Sequence, residues 1–293
     1  MTLPELMEYY NYIRMYKENM QLTGGDLMSA TLSAKENALL ALLQKYHKPA
    51  LAFSGGVDSG VLLAACLQAN LKVEPILADS CALPQQEKQD AQELALLLGT
   101  KLTLVSFMPL EQEAFRNNST SRCYHCKKAL LQLLQSKAAE LGCDILLDGT
   151  NADDLGDYRP GLQAVRELGV VSPLLECGFT KKDIRALAGK YQLPQLVHKP
   201  SYACLASRIA YGEEITEAKL ERVEKAEAFL RKLGLNNIRV RCHGSLVRLE
   251  VNPSEIPLLA TTLREETVLS LRKLGFSFIT LDLEGYRSGS MNN

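Results

Sequence analysis

The stretch Ala50-Leu51-Ala52-Phe53-Ser54-Gly55-Gly56-Val57-Asp58-Ser59 decides how this chain folds. Four apolar residues come first, two glycines follow, and the apolar run 61–65 continues the pattern. This order predicts a buried strand, a tight turn and the first turn of a helix. Glycine lets a backbone turn sharply beside a ligand, and the N–H groups at a helix start attract anions. The stretch therefore predicts a phosphate-binding loop, although an ordinary strand–turn–helix connection with a capping Asp or Ser is an alternative.

Strands and helices alternate on both sides of this loop. Besides the strand at 50–53, the pattern predicts three strands and four helices: 73–78, 102–107 and 144–147, and 33–46 (capped by Ser33), 85–98, 126–141 and 180–191. Such alternation is typical of an α/β fold with a doubly wound parallel sheet. Ligands of these sheets bind beyond the carboxyl ends of the strands. Asp79 and Ser80 follow the strand at 73–78, so we expect them near the adenosine half of a nucleotide.

We expect three segments along the chain. Residues 1–30 form an N-terminal extension of unassigned role, whose apolar spacing predicts one amphipathic helix ended by two glycines. Residues 31–206 form the nucleotide-binding domain. Residues 207–293 form a small α+β domain with the order helix, strand, strand, helix, strand (216–233, 237–242, 245–251, 254–275 with a possible break, and 276–283). This order suggests a small antiparallel sheet with helices on one face.

Composition excludes several classes of protein. The chain has 293 residues, of which 46% are hydrophobic and 23% charged, as is usual for a soluble globular protein. The formal net charge is −1, which argues against a nucleic-acid or membrane partner. No apolar run is long enough to span a bilayer, and the first residues do not read as a secretory signal. We therefore expect a cytoplasmic protein whose eight cysteines are reduced.

Three of the cysteines stand in patterns that suit chemistry. Cys123 and Cys126 form a CxxC near the start of a predicted helix, where the helix dipole lowers a thiol pKa. Cys204 lies in a distant loop that could complete a three-thiolate set. Three thiolates are one short of the four that usually hold a cubane cluster, which leaves one iron open to carry a hydrosulfide. A zinc site that adds His125 is an equal alternative, whereas Cys177 reads as a small core residue.

Two further groups of charged side chains can each be interpreted in two ways. The segment Asp148-Gly149-Thr150-Asn151-Ala152-Asp153-Asp154 follows a predicted strand, and its three acids suit magnesium or ribose contacts. A polar loop that caps the next helix is equally consistent. Arg239 and Arg241 are two residues apart on a strand and share one face, with Arg248 on the partner strand. They suit a substrate phosphate, or else a solvated face balanced by Glu250.

Taken together, these motifs resemble a known family. The loop 54–59 is similar to the SGGxDS signature of PP-loop ATP pyrophosphatases and lacks the Gly-Lys-Ser/Thr of a Walker A loop. Four further stretches resemble the LarE family of ATP-dependent sulfur transferases: Arg122-Cys123-Tyr124-His125-Cys126-Lys127-Lys128, residues 148–154 with Tyr158-Arg159-Pro160-Gly161, Tyr202-Ala203-Cys204-Leu205-Ala206-Ser207-Arg208, and Gly285-Tyr286-Arg287-Ser288-Gly289. The likeness runs from about residue 33 to residue 289, and residues 1–30 fall outside it.

The resemblance implies a role for each matching residue. It implies ATP cleavage between the α and β phosphates, with Asp58 placing Mg²⁺. Eight residues are implied at the ATP site: Ser54, Gly55, Gly56, Asp58, Ser59, Asp79, Gly149 and Thr150. Three arginines are implied at the substrate phosphate: Arg208, Arg239 and Arg241. Three cysteines are implied as ligands of a 4Fe–4S cluster, with Cys204 also catalytic: Cys123, Cys126 and Cys204.

The resemblance also implies the reaction. The substrate is a small-molecule nucleotide, pyridinium-3,5-biscarboxylate mononucleotide, whose carboxylates become thiocarboxylates through an acyl-adenylate. This chemistry belongs to nickel-pincer cofactor synthesis, which serves lactate racemase maturation. Some family members instead consume one cysteine, at the position of Cys204. A tRNA thiolation enzyme and a non-catalytic metal or nucleotide carrier are further alternatives, and we expect a homo-oligomer.

Overall fold

The computed structural model describes residues 31–156, 161–200 and 203–287. The predicted N-terminal helix and the matching residues 158–160, 202, 288 and 289 lie outside these ranges. The described chain divides into two compact units. The first contains the chain up to Asp79, Gln85–Phe107 and the segment that begins at Cys123 and ends before residue 202. The second contains Ser80–Pro84, Met108–Arg122 and the chain from residue 203 onward. The expected domain boundaries remain a prediction.

The first unit is built on a parallel sheet of four strands. Its strands and longer helices are α1 (Leu32–Leu43), β1 (Pro49–Ala52), α2 (Val57–Gln68), β2 (Glu74–Asp79), α3 (Gln85–Leu97), β3 (Thr103–Ser106), α4 (Arg122–Glu140), β4 (Ile145–Leu147) and α5 (Lys181–Lys190). Short helices are Ala152–Gly156, Gly161–Glu167, Pro173–Glu176 and Pro194–Val197. The strand order is β3-β2-β1-β4, and all pairs are parallel. The predicted α/β fold with a parallel sheet is confirmed.

The order of the strands identifies the ligand-binding edge of this sheet. The chain proceeds from β1 outward to β2 and β3, and then crosses to β4 on the other side of β1. Doubly wound sheets bind ligands at the carboxyl edge where the order reverses. The phosphate loop follows β1 and the segment 148–154 follows β4. Both predicted motifs therefore lie beside the reversal point.

Apolar side chains hold the sheet and its helices together. One face packs against α4 and the helix Gly161–Glu167, where Leu131 and Ala164 are fully buried. Helix α2 packs against β1, α1 and α5, and its residues Val61, Leu62 and Leu63 have no exposed surface. This burial on all sides explains why the sequence after the phosphate loop is a continuous apolar run.

Two predicted helix starts in this unit are wrong. Thr31, rather than Ser33, caps α1, because its hydroxyl accepts a hydrogen bond from the Ala34 N–H at 3.3 Å. Helix α4 begins at Arg122 instead of residue 126. The polar residues 122–128 carry little apolar periodicity, so the sequence pattern misses the first turn of the helix. As a result Cys123 lies in the first turn of the helix and Cys126 at the start of the second, rather than before the helix.

The second unit contains a mixed sheet of three strands. Its elements are α6 (Glu217–Lys232), β5 (Arg239–His243), β6 (Leu246–Glu250), α7 (Arg264–Lys273), β7 (Phe278–Leu281) and the short helices Pro109–Glu111, Glu113–Arg116, Leu205–Arg208, Pro253–Glu255 and Ile256–Ala260. Strands β5 and β6 are antiparallel, whereas β6 and β7 are parallel. The predicted antiparallel sheet is therefore wrong for β7. The helices between β6 and β7 form a crossover that returns the chain to the same end of the sheet.

The break considered possible in the helix predicted at 254–275 is present in the structure. Thr261 has φ −119° and ψ −83°, which ends the helix Ile256–Ala260 before α7 begins. Across the three described ranges, no helix has the length and apolar character needed to cross a membrane.

Candidate functional site

The phosphate loop needs glycine at position 55 for two reasons. Gly55 has φ +70°, which side chains rarely adopt. A Cβ atom there would also lie 2.6 Å from the Cβ atom of Ala91 on α3. The missing side chain therefore lets the turn fit tightly against the buried face of α3.

Two serines shape the loop from within. The hydroxyl oxygens of Ser54 and Ser59 lie 3.1 Å apart. The Ser54 hydroxyl also accepts a hydrogen bond from the Gly56 N–H at 3.4 Å, and the Ser59 hydroxyl donates to the Gly56 carbonyl at 3.3 Å. Gly56 is the N-cap of α2 and has no side chain to cap it. Backbone N–H groups and two hydroxyls thus surround the start of α2, an arrangement that suits phosphate oxygens.

Asp58 lies in the first turn of α2 and has two polar neighbours. The Lys181 ammonium is 2.7 Å from one carboxylate oxygen. The Asn151 side-chain amide donates to the same oxygen at 3.4 Å. The Asp58 and Lys181 side chains are 25% and 30% exposed, so both remain accessible to a ligand.

The segment after β4 is organised by Asp148. This buried carboxylate accepts hydrogen bonds from the N–H and hydroxyl of Thr150, at 3.1 and 2.8 Å, and from the Ser172 hydroxyl at 2.7 Å. Lys127 Nζ lies 3.6 Å away. A Cβ atom on Gly149 would come within 3.0 Å of the Ser59 nitrogen. Gly149 therefore allows this segment to touch the start of α2.

The other acids of this segment hold local structure. Asp154 accepts a hydrogen bond from the Asn151 N–H at 3.0 Å, and Asp153 accepts one from the Lys181 N–H at 2.7 Å. The second contact satisfies an N–H group at the start of α5, which agrees with the helix-capping alternative. A role of these acids in magnesium or ribose binding remains a prediction.

Asp79 ends β2 at the same edge of the sheet. Its carboxylate accepts a hydrogen bond from Lys88 Nζ on α3 at 2.5 Å, and 36% of its side chain is exposed. The carboxylate is thus held in place while it stays open to a ribose hydroxyl. Its predicted contact with ATP is compatible with this position.

The two cysteines of the CxxC share one face of α4. Cys123 is exposed and Cys126 is half-buried. Residues three apart on a helix are neighbours, and the first turn contains no acidic residue that would repel a thiolate. His125 beside them is also exposed, with its ring 5.1 Å from that of Tyr124. The pair can therefore supply two ligands to a metal centre.

Cys204 belongs to the second unit, where it is exposed at the start of the helix Leu205–Arg208. Among the described residues, no disulfide joins Cys123, Cys126 or Cys204. Such accessible thiols fit the thiolate ligands of an iron–sulfur cluster. Within the three described ranges, no group of three or more His, Cys, Asp or Glu residues is placed to hold a metal ion. The joint ligand set remains a prediction.

Two other cysteines are unsuited to chemistry. Burial raises the pKa of the Cys66 thiol to about 12 and that of the Cys177 thiol to about 11. The exposed fraction of Cys177 is only 6%, as predicted for a core residue. Because the thiolate is the reactive form, these two cysteines are poor nucleophiles near neutral pH.

Arg208 is fully buried in the second unit. Its guanidinium pairs with both carboxylate oxygens of Glu227, at 2.9 and 3.2 Å. It also donates to the carbonyl groups of Ala203 and Cys204, at 2.7 and 3.3 Å. Arg208 therefore holds the main chain on which Cys204 is mounted.

Arg239 and Arg241 are buried on the same strand, each with 5% of its surface exposed. Arg241 pairs with Glu250 at 2.8 Å, and the Arg239 guanidinium lies 4.7 Å from the ring centre of Tyr286. Burial lowers the pKa of Arg239, and repulsion by Arg208 lowers it further. The strand face is thus not solvated, although Glu250 does balance Arg241 as the alternative reading expected. A role at a substrate phosphate remains a prediction.

Comparison with known proteins identifies the family. No family model matches the chain. The chain is 35% identical over 266 residues to the pyridinium-3,5-bisthiocarboxylic acid mononucleotide synthase of Lactiplantibacillus plantarum, and the match covers 90% of this chain and 96% of that protein. The chain belongs to the LarE family. It is also 39% identical over 263 residues to the uncharacterized protein slr1717 of Synechocystis (89% and 98% covered), and 29% identical over 244 residues to the uncharacterized protein MJ0830 of Methanocaldococcus jannaschii (83% and 92% covered).

Three polar residues of this LarE-family chain were missed as candidates by sequence reasoning. Lys181 and Asn151 contact Asp58, and Glu227 pairs with Arg208. Lys181 is 123 residues from its partner, and a lysine in the first turn of a predicted helix looks like any surface lysine. Asn151 lies in a recognised motif, which is the one signal that could have identified it.

Proposed function

We propose that this LarE-family chain is an enzyme that converts the carboxylates of pyridinium-3,5-biscarboxylate mononucleotide to thiocarboxylates with cleavage of ATP. The single observation that carries the proposal is the 35% identity, over nearly the full length of both chains, to the L. plantarum synthase of the bisthiocarboxylic acid mononucleotide. The phosphate loop at the carboxyl edge of the sheet supports it, since it offers N–H groups and hydroxyls to a triphosphate.

The first step activates the carboxylate. A carboxylate oxygen attacks the α-phosphorus of ATP, the bond between that phosphorus and the bridging oxygen to the β-phosphorus breaks, and pyrophosphate leaves. The loop from Ser54 to Ser59 would hold the phosphates, Asp79 the ribose, and Gly149 and Thr150 would flank the nucleotide. Asp58 would hold Mg²⁺, which neutralises charge on the phosphates when bound. The product is an acyl-adenylate, whose AMP is a good leaving group.

The second step transfers sulfur. A sulfur nucleophile attacks the carbonyl carbon of the acyl-adenylate and the bond to AMP breaks, which leaves the thiocarboxylate. Cys123, Cys126 and Cys204 would hold a 4Fe–4S cluster, which when bound supplies the sulfur from its fourth iron. The exposure of Cys123 and Cys204 and the partial exposure of Cys126 support this ligand set. Their place in the family motifs supports it as well.

The arginines of the second unit would bind the substrate phosphate. Arg208, Arg239 and Arg241 are buried near one another, with Glu227 and Glu250 as carboxylate partners. Burial lowers the pKa of Arg239, and repulsion by Arg208 lowers it further. A bound phosphate would relieve the repulsion and accept charge-assisted hydrogen bonds.

Product analysis tests this proposal. Protein purified without oxygen is incubated with the mononucleotide, Mg²⁺, ATP and sulfide. We expect AMP and pyrophosphate in equal amounts, together with a product in which sulfur replaces carboxylate oxygen. Asp58→Asn should lower pyrophosphate release at least about 100-fold, by analogy with the loss of other preorganised charge-stabilising groups. Glu93→Gln, an exposed site on α3, should leave the rate unchanged. ADP and inorganic phosphate as products would contradict the proposal.

A further inference from the structure

The phosphate loop of this chain contains no basic residue. Its only charged side chain is the carboxylate of Asp58, whereas a Walker A loop supplies its own lysine to the phosphates. Triphosphate binding beside a carboxylate requires positive charge from elsewhere. The Lys181 ammonium supplies such a charge, because it lies 2.7 Å from Asp58 although it is 123 residues away in sequence.

The position of Lys181 is set by its helix. Lys181 is the first residue of α5. It follows the N-cap residue Thr180, which forms a capping box with Asp183. Its own N–H group donates to Asp153 at 2.7 Å. Lys35 fixes the helix from the other side through a 2.7 Å contact with Asp183. Because the side chains of Ile184 and Leu187 are fully buried, α5 is firmly packed and holds the Lys181 ammonium beside the loop.

Two features distinguish Lys181 from a purely structural partner of Asp58. Its side chain is 30% exposed, so a ligand can reach the ammonium without unfolding of the helix. Two other described lysines at this edge are paired with carboxylates away from the loop. Lys127 lies 3.6 Å from the buried Asp148, and Lys88 donates to Asp79 at 2.5 Å. Among these described lysines, Lys181 is the one that contacts a residue of the phosphate loop itself.

We propose that Lys181 binds the β- and γ-phosphates of ATP and the pyrophosphate that leaves. The proposal rests on the proposed function only in assuming that the loop cleaves ATP between the α and β phosphates. Asp58 holds the ammonium at the loop in the absence of nucleotide. When ATP binds, phosphate oxygens become its partners, and the charge that develops on the leaving pyrophosphate falls beside it.

Calorimetric binding to the full-length chain tests the proposal. The probes are α,β-methylene-ATP, pyrophosphate and AMP, each with Mg²⁺. Lys181→Met should weaken binding of the first two about 10- to 100-fold, the range of one charge-assisted contact. AMP binding should change less than about twofold, because AMP lacks the β- and γ-phosphates. Lys181→Arg should recover most of the loss, since it keeps the charge.

Lys182→Met is the matched control, because it removes the same charge from the next residue of α5, and all three affinities should stay at the wild-type values. If Lys181→Met does not fold, the double variant Asp58→Asn, Lys181→Met, which removes both charges, is measured instead. Relative to wild type, this double variant should lose more affinity for pyrophosphate than for AMP. Equal losses for all three probes, or none, would overturn the proposal. No pyridinium substrate is present, so failure of the proposed reaction would leave this result intact.

Discussion

At the scale of single residues, the buried carboxylate of Glu227 pairs with the buried guanidinium of Arg208 in the second unit. It has 1% of its surface exposed and accepts hydrogen bonds from Arg208 and from the N–H group of Val240 at 3.1 Å. A buried charge is tolerated only when it is paired and hydrogen-bonded. Removal of Glu227 therefore leaves the Arg208 guanidinium buried without its carboxylate.

Glu227→Ala should lower the free energy of unfolding by about 3–5 kcal/mol, the usual effect of removing one partner from a buried pair. Glu221→Ala on the same helix is the control. Glu221 pairs with Lys225, but its side chain is 60% exposed, so the loss should stay below about 0.5 kcal/mol. Urea denaturation of both variants measures the difference. Similar midpoints would show that the Arg208–Glu227 pair contributes little.

Sequence reasoning identified the residues that lie in compact motifs and missed their distant partners. Asp58, Cys123, Cys126 and Cys204 could be named because short motifs contain them. Lys181 and Glu227 could not, since a contact across many residues leaves no local pattern. The charge of Arg239 and Arg241 was visible, but their burial was not, because the sequence does not show that both faces of β5 are covered.

At the scale of elements, the phosphate loop depends on its fit to α3. Gly55→Ala places a methyl group 2.6 Å from Ala91 Cβ and 2.7 Å from Ala91 Cα, so the loop or α3 must shift. Pyrophosphate release should fall at least about 100-fold, because a shift of about 1 Å in a reacting group has that effect. Loss of stability should exceed that of the control described next.

Gly99→Ala is the matched control for this substitution. Gly99 also has φ +70°, but no atom lies within 4 Å of the Cβ position. Its cost should be the conformational term alone, about 1 kcal/mol, with the rate of pyrophosphate release unchanged. Thermal unfolding and product release are measured for both variants. Equal behaviour of the two variants would show that the close approach to Ala91 has no importance.

The cysteines also differ by the element that carries them. Cys123 in the first turn of α4 and Cys204 at the start of a short helix are exposed, whereas Cys66 in α2 and Cys177 are buried. At pH 8, a pKa of about 12 leaves roughly one Cys66 thiol in ten thousand ionised. Mass spectrometry after brief alkylation of the native apoprotein should find Cys123 and Cys204 labelled first. Early labelling of Cys66 or Cys177 would contradict the described packing.

Apolar periodicity predicted the strands and the interiors of the helices, but not all of their ends or their pairing. The ends of the strands in the first unit agree with prediction to within one residue. The start of α4 was missed because its first turn is polar. The parallel pairing of β7 was missed because it depends on the path of the crossover after β6 rather than on the strand's own residues.

At the scale of the whole molecule, the chain combines a parallel α/β sheet with a second unit whose segments cannot be predicted from composition. Alternating strands and helices predicted the parallel sheet, and the strand order β3-β2-β1-β4 then located the ligand edge. The second unit also contains the segments Ser80–Pro84 and Met108–Arg122. Such insertions cannot be read from a linear pattern, because they are defined by contacts that form only in the folded chain.

The most direct test of the whole account is the amount of product formed per chain, together with the intact mass of the protein. Anaerobically purified chain should be brown and contain about four irons, which Cys123→Ala, Cys126→Ala and Cys204→Ala each lose and Cys177→Ala keeps. With ATP, Mg²⁺, sulfide and the mononucleotide, each chain should make many thiocarboxylates while Cys204 keeps its full mass. One sulfur delivered per chain, with loss of one H₂S from Cys204 and no need for Cys123 or Cys126, would contradict the cluster account and show that Cys204 is consumed.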